Sequence, residues 1–133
     1  MARKSRYQLV MQFPEELFAS HDEVVAFEQR IGSYLPATCE LDGHDIGSGT
    51  TNFFIYTAYP VAAYKILLRV STRATQAKMR IAYRSTAGST FTNLWPRRDP
   101  RPFEYMYSAD DNPFARGAKR KIPRRSPRGV RAK

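Results

Sequence analysis

The hydrophobic residues of this chain alternate between two spacings, and the order of these spacings constrains the fold more than any other feature. Between Tyr7 and Phe13 the odd-numbered residues are apolar and two of the three even-numbered ones are glutamines, which is typical of a half-buried strand. Similar patterns, bounded by turn residues, predict further strands over residues 38–41, 51–57, 78–84 and 91–95. We therefore expect a sheet of five short strands.

Two segments between these strands have the spacing of amphipathic helices. Ser20 and Glu23 form a capping-box pattern, and apolar residues then recur every three or four positions until Pro36. Pro60 suits the first turn of a second helix, whose apolar positions continue to Leu68. The order β-α-β-β-α-β-β contains two split βαβ units. It predicts an α+β, ferredoxin-like sandwich over residues 1–97, with an antiparallel sheet and both helices on one face.

Residues 98–133 differ in composition and are expected to form a proline-rich, basic C-terminal extension. The 133-residue chain has a formal net charge of +10, and no Asp or Glu follows Phe114. Such a segment favours a polyanionic partner, either RNA or DNA, or an acidic protein. Its candidate contact residues are Arg116, Lys119, Arg120, Lys121, Arg124, Arg125 and Arg128.

Other features of the sequence exclude several classes of protein. Cys39 is the only cysteine, so no intrachain disulfide can form. No segment has the roughly 18 consecutive apolar residues of a membrane span, and the extension has no apolar helical face for a membrane surface. No cofactor-binding motif is present. We therefore expect a cytoplasmic protein with no cofactor and no membrane partner.

The stretch from Asp42 to Gly49 combines two aspartates, one histidine and three glycines, and it has two interpretations. His44 with Asp42 and Asp45 can supply a general base and an orienting carboxylate, or part of a metal site. The glycines can instead adopt positive φ angles in a tight or bulged hairpin, with the aspartates capping backbone amides. No nucleophile or phosphate-binding motif accompanies the stretch, which favours a structural turn over 43–49 without catalytic residues or a metal.

The sheet face without helices is predicted to carry aromatic and arginine side chains. Alternation places Phe54 and Tyr56 there from the third strand, and Arg80 and Arg84 from the fourth. Bases can stack on such rings while arginines bind phosphates, as in single-strand recognition on open sheets. The favoured alternative is that the rings pack in a homodimer interface or under the extension, whose apolar residues between Phe103 and Tyr107 are expected to dock on the domain.

A set of short motifs within residues 7–96 resembles a group of small uncharacterised bacterial proteins. The motifs are Asp42-Gly43-His44-Asp45, Gly47-Ser48-Gly49, Asn52-x-Phe54-Ile55-x-Thr57, Ala82-Tyr83-Arg84 and Leu94-Trp95-Pro96. The resemblance implies the same ferredoxin-like plan and brings no established activity with it. In such relatives an acidic residue is expected just before the second helix, where this chain has Ala58 and Tyr59.

These features lead to one main functional hypothesis and two alternatives. The main hypothesis is a non-catalytic binding module that contacts nucleic acid or another polyanion through the basic extension and the aromatic and arginine sheet face. The first alternative is a protein-interaction module, such as an immunity or antitoxin-like inhibitor, with the hairpin over 42–49 as its contact. The second alternative is a small hydrolase or nuclease that uses Asp42, His44 and Asp45.

Overall fold

The computed structural model describes residues 6–104, which form a five-stranded sheet with helices against one face. The strands are β1 (Tyr7–Pro14), β2 (Cys39–Gly47), β3 (Thr50–Thr57), β4 (Arg80–Ser85) and β5 (Thr92–Trp95). The helices are α1 (His21–Tyr34), α2 (Pro60–Val70) and the single-turn α3 (Arg73–Gln76), and a 3-10 turn covers Glu15–Leu17. The candidate residues from Arg116 to Arg128 lie outside the described residues.

The strand order is β2-β3-β1-β4-β5, and every neighbouring pair is antiparallel. Helix α1 connects β1 to β2, which have β3 between them, and α2 connects β3 to β4, which have β1 between them. This interleaving of two βαβ units confirms the predicted ferredoxin-like α+β fold. Strand β5 pairs with β4 and forms one edge of the sheet, while β2 forms the other.

The main core lies between the sheet and the helices, where the apolar side of each strand meets the apolar side of each helix. Leu9, Met11 and Phe13 from β1 are completely buried there, together with Phe53 and Ile55 from β3. Full burial of an aliphatic or aromatic side chain of this kind stabilises the folded state by roughly 1.5–3 kcal/mol. The period-two pattern of the strands thus determines which side chains enter the core.

The ends of the two long helices follow from local chemistry. The Glu23 amide donates to Oγ of Ser20, and the Glu23 carboxylate accepts from the Ala19 amide, which confirms the predicted capping pattern. Helix α2 begins with Pro60 in its first turn, and its N-cap residue Tyr59 makes no side-chain cap. That helix start therefore lacks the side-chain hydrogen bond that stabilises the start of α1.

Strand β2 extends much further than its predicted end at residue 41, so the prediction of a turn over the whole of 43–49 is wrong. Residues up to Gly47 continue to pair with β3, and the register shifts between Leu41 and Gly43, where Gly43 has a φ of 110°. The β-bulge requires this positive φ at position 43. Glycine adopts it readily, whereas a residue with an L side chain would be strained there. The turn itself is confined to Gly47–Thr50, with positive φ at Ser48 and Gly49.

The first part of the predicted extension belongs to the folded domain. Residues 99–104, which we call the strap, cross the sheet face opposite the helices, and Phe103 is only 5% exposed there. Docking over the sheet was expected for this segment, and it is found for Phe103, while residues 105–107 lie outside the described part of the chain. In residues 6–104, no helix combines the length and hydrophobicity that crossing a bilayer requires.

Candidate functional site

The sheet face opposite the helices carries the residues that alternation assigned to it. The register places Gln8 beside Tyr56 and Arg84, and Gln12 beside Asn52 and Arg80. The strap divides this face into a covered half and an open half. The covered half contains Val10, Gln12, Asn52, Phe54, Arg80 and Ala82. The open half, so named because residues 99–104 do not cross it, contains Gln8, Tyr56 and Arg84, and Phe91 lies at the border between the two halves.

The covered half is a small second core built around Phe103. The Phe103 ring packs with buried Val10 and Ala82 and with the partly buried rings of Phe54 and Phe91. The ring centroids of Phe103 and Phe91 are 4.9 Å apart. Phe54 therefore packs against the strap, as expected if the extension covers the aromatic rings of this face. Its ring is already in contact with protein and is not a free surface for a nucleic-acid base.

Arg80 holds the strap on the sheet. Its Nη2 donates to the Arg101 carbonyl at 2.9 Å, and its Nη1 donates to the Pro102 carbonyl at 3.4 Å. Its guanidinium carbon lies 5.2 Å from the centroid of the Phe103 ring, within the range of a cation–π contact. Arg80 is only 2% exposed, so it stabilises the position of the strap from inside the protein and is not accessible to a partner.

Asp99 supplies the counter-charge for this arrangement. Its carboxylate accepts from Nη2 of Arg101 at 2.6 Å and lies 3.5 Å from Nε of Arg80. The side-chain hydrogen bond from Arg101, opposed by burial and helped by the positive charge of Arg80, lowers the pKa of Asp99 to about 2. Nδ2 of Asn93 donates to the Asp99 and Arg101 carbonyls, so β5 also fixes the path of the strap.

The open half presents an arginine that neighbouring groups orient. Nε of Arg84 donates to the Gln8 side chain at 2.9 Å, and Nη1 donates to the Gly88 carbonyl at 2.8 Å. Gln8 in turn donates to the Tyr56 hydroxyl at 3.3 Å, and the Phe91 ring lies 5.8 Å from the guanidinium carbon. Two half-buried aromatic rings and one pre-oriented guanidinium thus share a small area.

Arg84 carries a positive charge that no carboxylate in residues 6–104 neutralises through an ion pair. The carboxylate in its row of the sheet is Glu40, which pairs with Tyr56 from the edge strand β2. Three strand spacings separate Glu40 from Arg84, which is roughly 14 Å. The polar atoms that hold Arg84 are neutral oxygens, so its charge is available to an anion from outside the domain.

The sheet separates the residues of the predicted hydrolase site. His44 pairs with Phe53 on the helix side of the sheet, while Asp45 pairs with Asn52 on the opposite side. Nδ1 of His44 lies 3.1 Å from a carboxylate oxygen of Glu28 on α1, and Asp42 is exposed at the bulge. The histidine therefore has a carboxylate partner, but that partner is neither of the two aspartates.

A second histidine lies near this pair without completing a metal site. The rings of His21 and His44 have centroids 5.5 Å apart. Among the side chains of residues 6–104, no group of three or more His, Cys, Asp or Glu is arranged to hold a metal ion. Within the described residues, the cluster consists of a histidine–carboxylate hydrogen bond and a ring contact.

The charged residues of the domain separate into two regions, a feature that the sequence predictions missed. Residues 7–45 contain eight Asp and Glu and one Arg, whereas residues 46–98 contain eight Lys and Arg and no acidic residue. The first group lies on the 3-10 turn, α1 and β2. The second lies on α2, α3, the turn between α3 and β4, β4 itself and the segment after β5. Since β2 and β5 are opposite edges, the domain has an acidic side and a basic side. A count of charges in sequence blocks inside the predicted domain would have found this.

Comparisons with protein-family models, with curated proteins and with solved structures gave no significant match. The function is therefore inferred from the geometry and charge described above.

Proposed function

We propose that this protein is a non-catalytic binding module for nucleic acid, most directly for a single strand. The observation that carries the proposal is Arg84 in the open half of the sheet face, oriented by Gln8 and Gly88 and not paired with a carboxylate in residues 6–104. A guanidinium held in this way can donate to a phosphate, and the part of the neighbouring Phe91 ring that Phe103 leaves exposed can stack on a base.

The basic residues after Phe114 complement this site in the proposal. Nine Lys and Arg follow that position without an acidic residue, so they add long-range attraction to any phosphate backbone. Attraction of this kind carries little sequence information. It falls steeply as the salt concentration rises, because counterions displaced from the nucleic acid gain less entropy in a more concentrated salt solution. The sheet face would then contribute contacts that require exposed bases.

The proposal can be tested by fluorescence anisotropy with a labelled 24-nucleotide oligothymidylate over a range of salt concentrations. We expect Arg84→Gln to weaken binding several-fold at moderate salt, and deletion of residues 114–133 to reduce the slope of log K against log salt. Arg30→Gln removes the same charge from α1, on the acidic side, and is the matched control. Thermal unfolding of each variant separates loss of binding from loss of folding.

An affinity that neither Arg84→Gln nor the deletion changes would contradict the proposal. Binding that resists Arg84→Gln but requires residues 114–133 would leave a general polyanion-binding tail and remove the sheet face from the site. Equal effects of Arg84→Gln and Arg30→Gln would show that net charge, and not the oriented guanidinium, sets the affinity.

One observation favours the protein-interaction alternative as a second candidate function. The hairpin exposes Asp42 and Ile46 on the edge strand β2, and that side of the domain is acidic. A partner with a basic surface would fit this hairpin better than nucleic acid would. A stoichiometric protein captured by the unaltered chain, and lost on Asp42→Lys, would support this candidate.

A further inference from the structure

The folded domain carries a cationic surface of its own, separate from both the basic tail and the open half of the sheet face. Six of the eight basic residues between positions 46 and 98 are exposed, and the two others are Arg80 and Arg84 on the sheet face. We call these six residues the cationic belt; they are Lys65, Arg69, Arg73, Lys78, Arg97 and Arg98.

The belt follows a continuous path around the β5 side of the domain. Lys65 and Arg69 are one helical turn apart on the outer side of α2, and Arg73 begins α3 after a gap of two residues. Nε1 of Trp95 donates to the Gln76 carbonyl at 2.9 Å, which ties the end of α3 to the end of β5. The segments that carry Lys78 and the two arginines after β5 are thereby brought next to each other.

The charges of the belt are not neutralised inside the domain. Within residues 6–104 none of the six side chains forms an ion pair with a carboxylate. Eight of the ten Asp and Glu residues in 6–104 lie on the opposite side, on the 3-10 turn, α1 and β2, where they repel a polyanion. Asp99, close to the belt in sequence, is already paired with Arg80 and Arg101. The electrostatic field of the domain therefore favours the approach of a polyanion from the β5 side.

We propose that the belt is a second nucleic-acid contact, which binds the phosphodiester backbone of a strand whose bases stack near Arg84. The strand would cross the β5 edge from the sheet face to α3 and α2, with the β2 edge turned away from it. This inference rests on the proposed function and adds a surface and an orientation to it. Small or polar residues such as Thr72, Ala74 and Ala77 separate the cations. Cations spaced in this way suit contacts with the repeated phosphates of a nucleic acid. A protein interface would more typically contain aromatic side chains that become buried on binding.

The belt can be tested with two double variants of the full chain that lose the same net charge. Arg69→Gln with Arg73→Gln removes two cations from the belt, and Arg6→Gln with Arg30→Gln removes two cations that lie outside it. For a 24-nucleotide oligothymidylate, we expect the belt variant to lower the magnitude of the slope of log K against log salt by about 1.4, because each single-strand contact contributes about 0.7. The control variant is expected to retain the slope of the unaltered chain.

The outcomes separate the belt from the proposed function. If the unaltered chain shows no salt-dependent binding, both proposals are overturned. If it binds and the belt variant keeps the full slope, or if both double variants lose slope equally, the belt alone is overturned. Equal competition by polyglutamate, at matched charge concentration, would overturn the assignment of the belt to nucleic acid. Circular dichroism melts confirm that each variant is folded at the assay temperature.

Discussion

Asp99 and Arg80 form an ion pair in which both side chains are almost completely buried. Nε of Arg80 lies 3.5 Å from Oδ2 of Asp99, and the two side chains are 2% and 6% exposed. The pair joins the strap to strand β4, beside the central strand β1, across 19 residues of sequence. It therefore connects the stability of the domain to the segment from which the basic tail continues.

Replacing Asp99 should be costly because it leaves a buried guanidinium without its counter-charge. We expect Asp99→Asn to lower the free energy of unfolding by about 2–4 kcal/mol, measured by urea denaturation. The control is Arg101→Gln, because Arg101 is 51% exposed and its pair with Asp99 should contribute less than about 1 kcal/mol. Equal costs for the two variants would show that the Arg80–Asp99 pair does not stabilise the strap.

The lowered pKa of Asp99 should make the folded protein less stable in acid. The pKa of Asp99 is about 2 in the folded protein, against an ordinary value of 3.8 for an aspartate, so the folded state binds the proton less tightly than the unfolded state. Its stabilising contribution is complete above pH 4 and is lost as the pH falls through 2. Allowing for screening at the exposed Arg101, we expect about 1–2 kcal/mol from this group.

The measurement is the difference in unfolding free energy between the unaltered chain and Asp99→Asn at several pH values. Because all other carboxylates titrate in both proteins, this difference isolates Asp99. We expect it to shrink between pH 4 and pH 2. A difference that stays constant over this range would mean that the pKa of Asp99 is not lowered by folding.

Phe103 should anchor the strap through its ring. It is 5% exposed and packs on Val10 and Ala82, so Phe103→Ala removes most of the second core. We expect a loss of about 2 kcal/mol in unfolding free energy, below the range for a deep core phenylalanine because the strap can relax. Phe103→Leu should recover much of the loss. Faster proteolysis near the strap in Phe103→Ala, at conditions where the domain is folded, would identify detachment of the strap as the local response.

The glycine-rich hairpin provides a matched pair of substitutions. Gly43 has a φ of 110° at the bulge, whereas Gly47 has no positive φ and open space where a side chain would begin. We expect Gly43→Ala to cost about 1–2 kcal/mol and Gly47→Ala to cost less than about 0.5 kcal/mol in thermal or urea unfolding. A neutral Gly43→Ala would mean that the bulge does not need the backbone freedom of glycine. That result would remove the main support for interpreting the glycine-rich stretch from Asp42 to Gly49 as a structural hairpin.

Local patterns in the sequence were sufficient for the order of the elements and for the side of the sheet that each strand residue faces. Side chains alternate along a strand regardless of what surrounds it, so Phe54, Tyr56, Arg80 and Arg84 were correctly assigned to one face. The capping pattern at Ser20 was equally local. The length of β2 was missed because pairing with β3 overrides the turn preference of Gly43 and Asp45.

Tertiary structure alone decided which residues of that face the strap covers and which carboxylates pair with His44 and Arg80. Phe54 and Arg80 lie under the strap, while Tyr56 and Arg84 do not, because Phe103 docks at one end of the face. The spacing of apolar residues shows which side of a strand or helix is buried, but it does not show which other segment of the chain covers that side. The pairing of His44 with Glu28, and of Arg80 with Asp99, depends on contacts between elements that the chain brings together only when it folds.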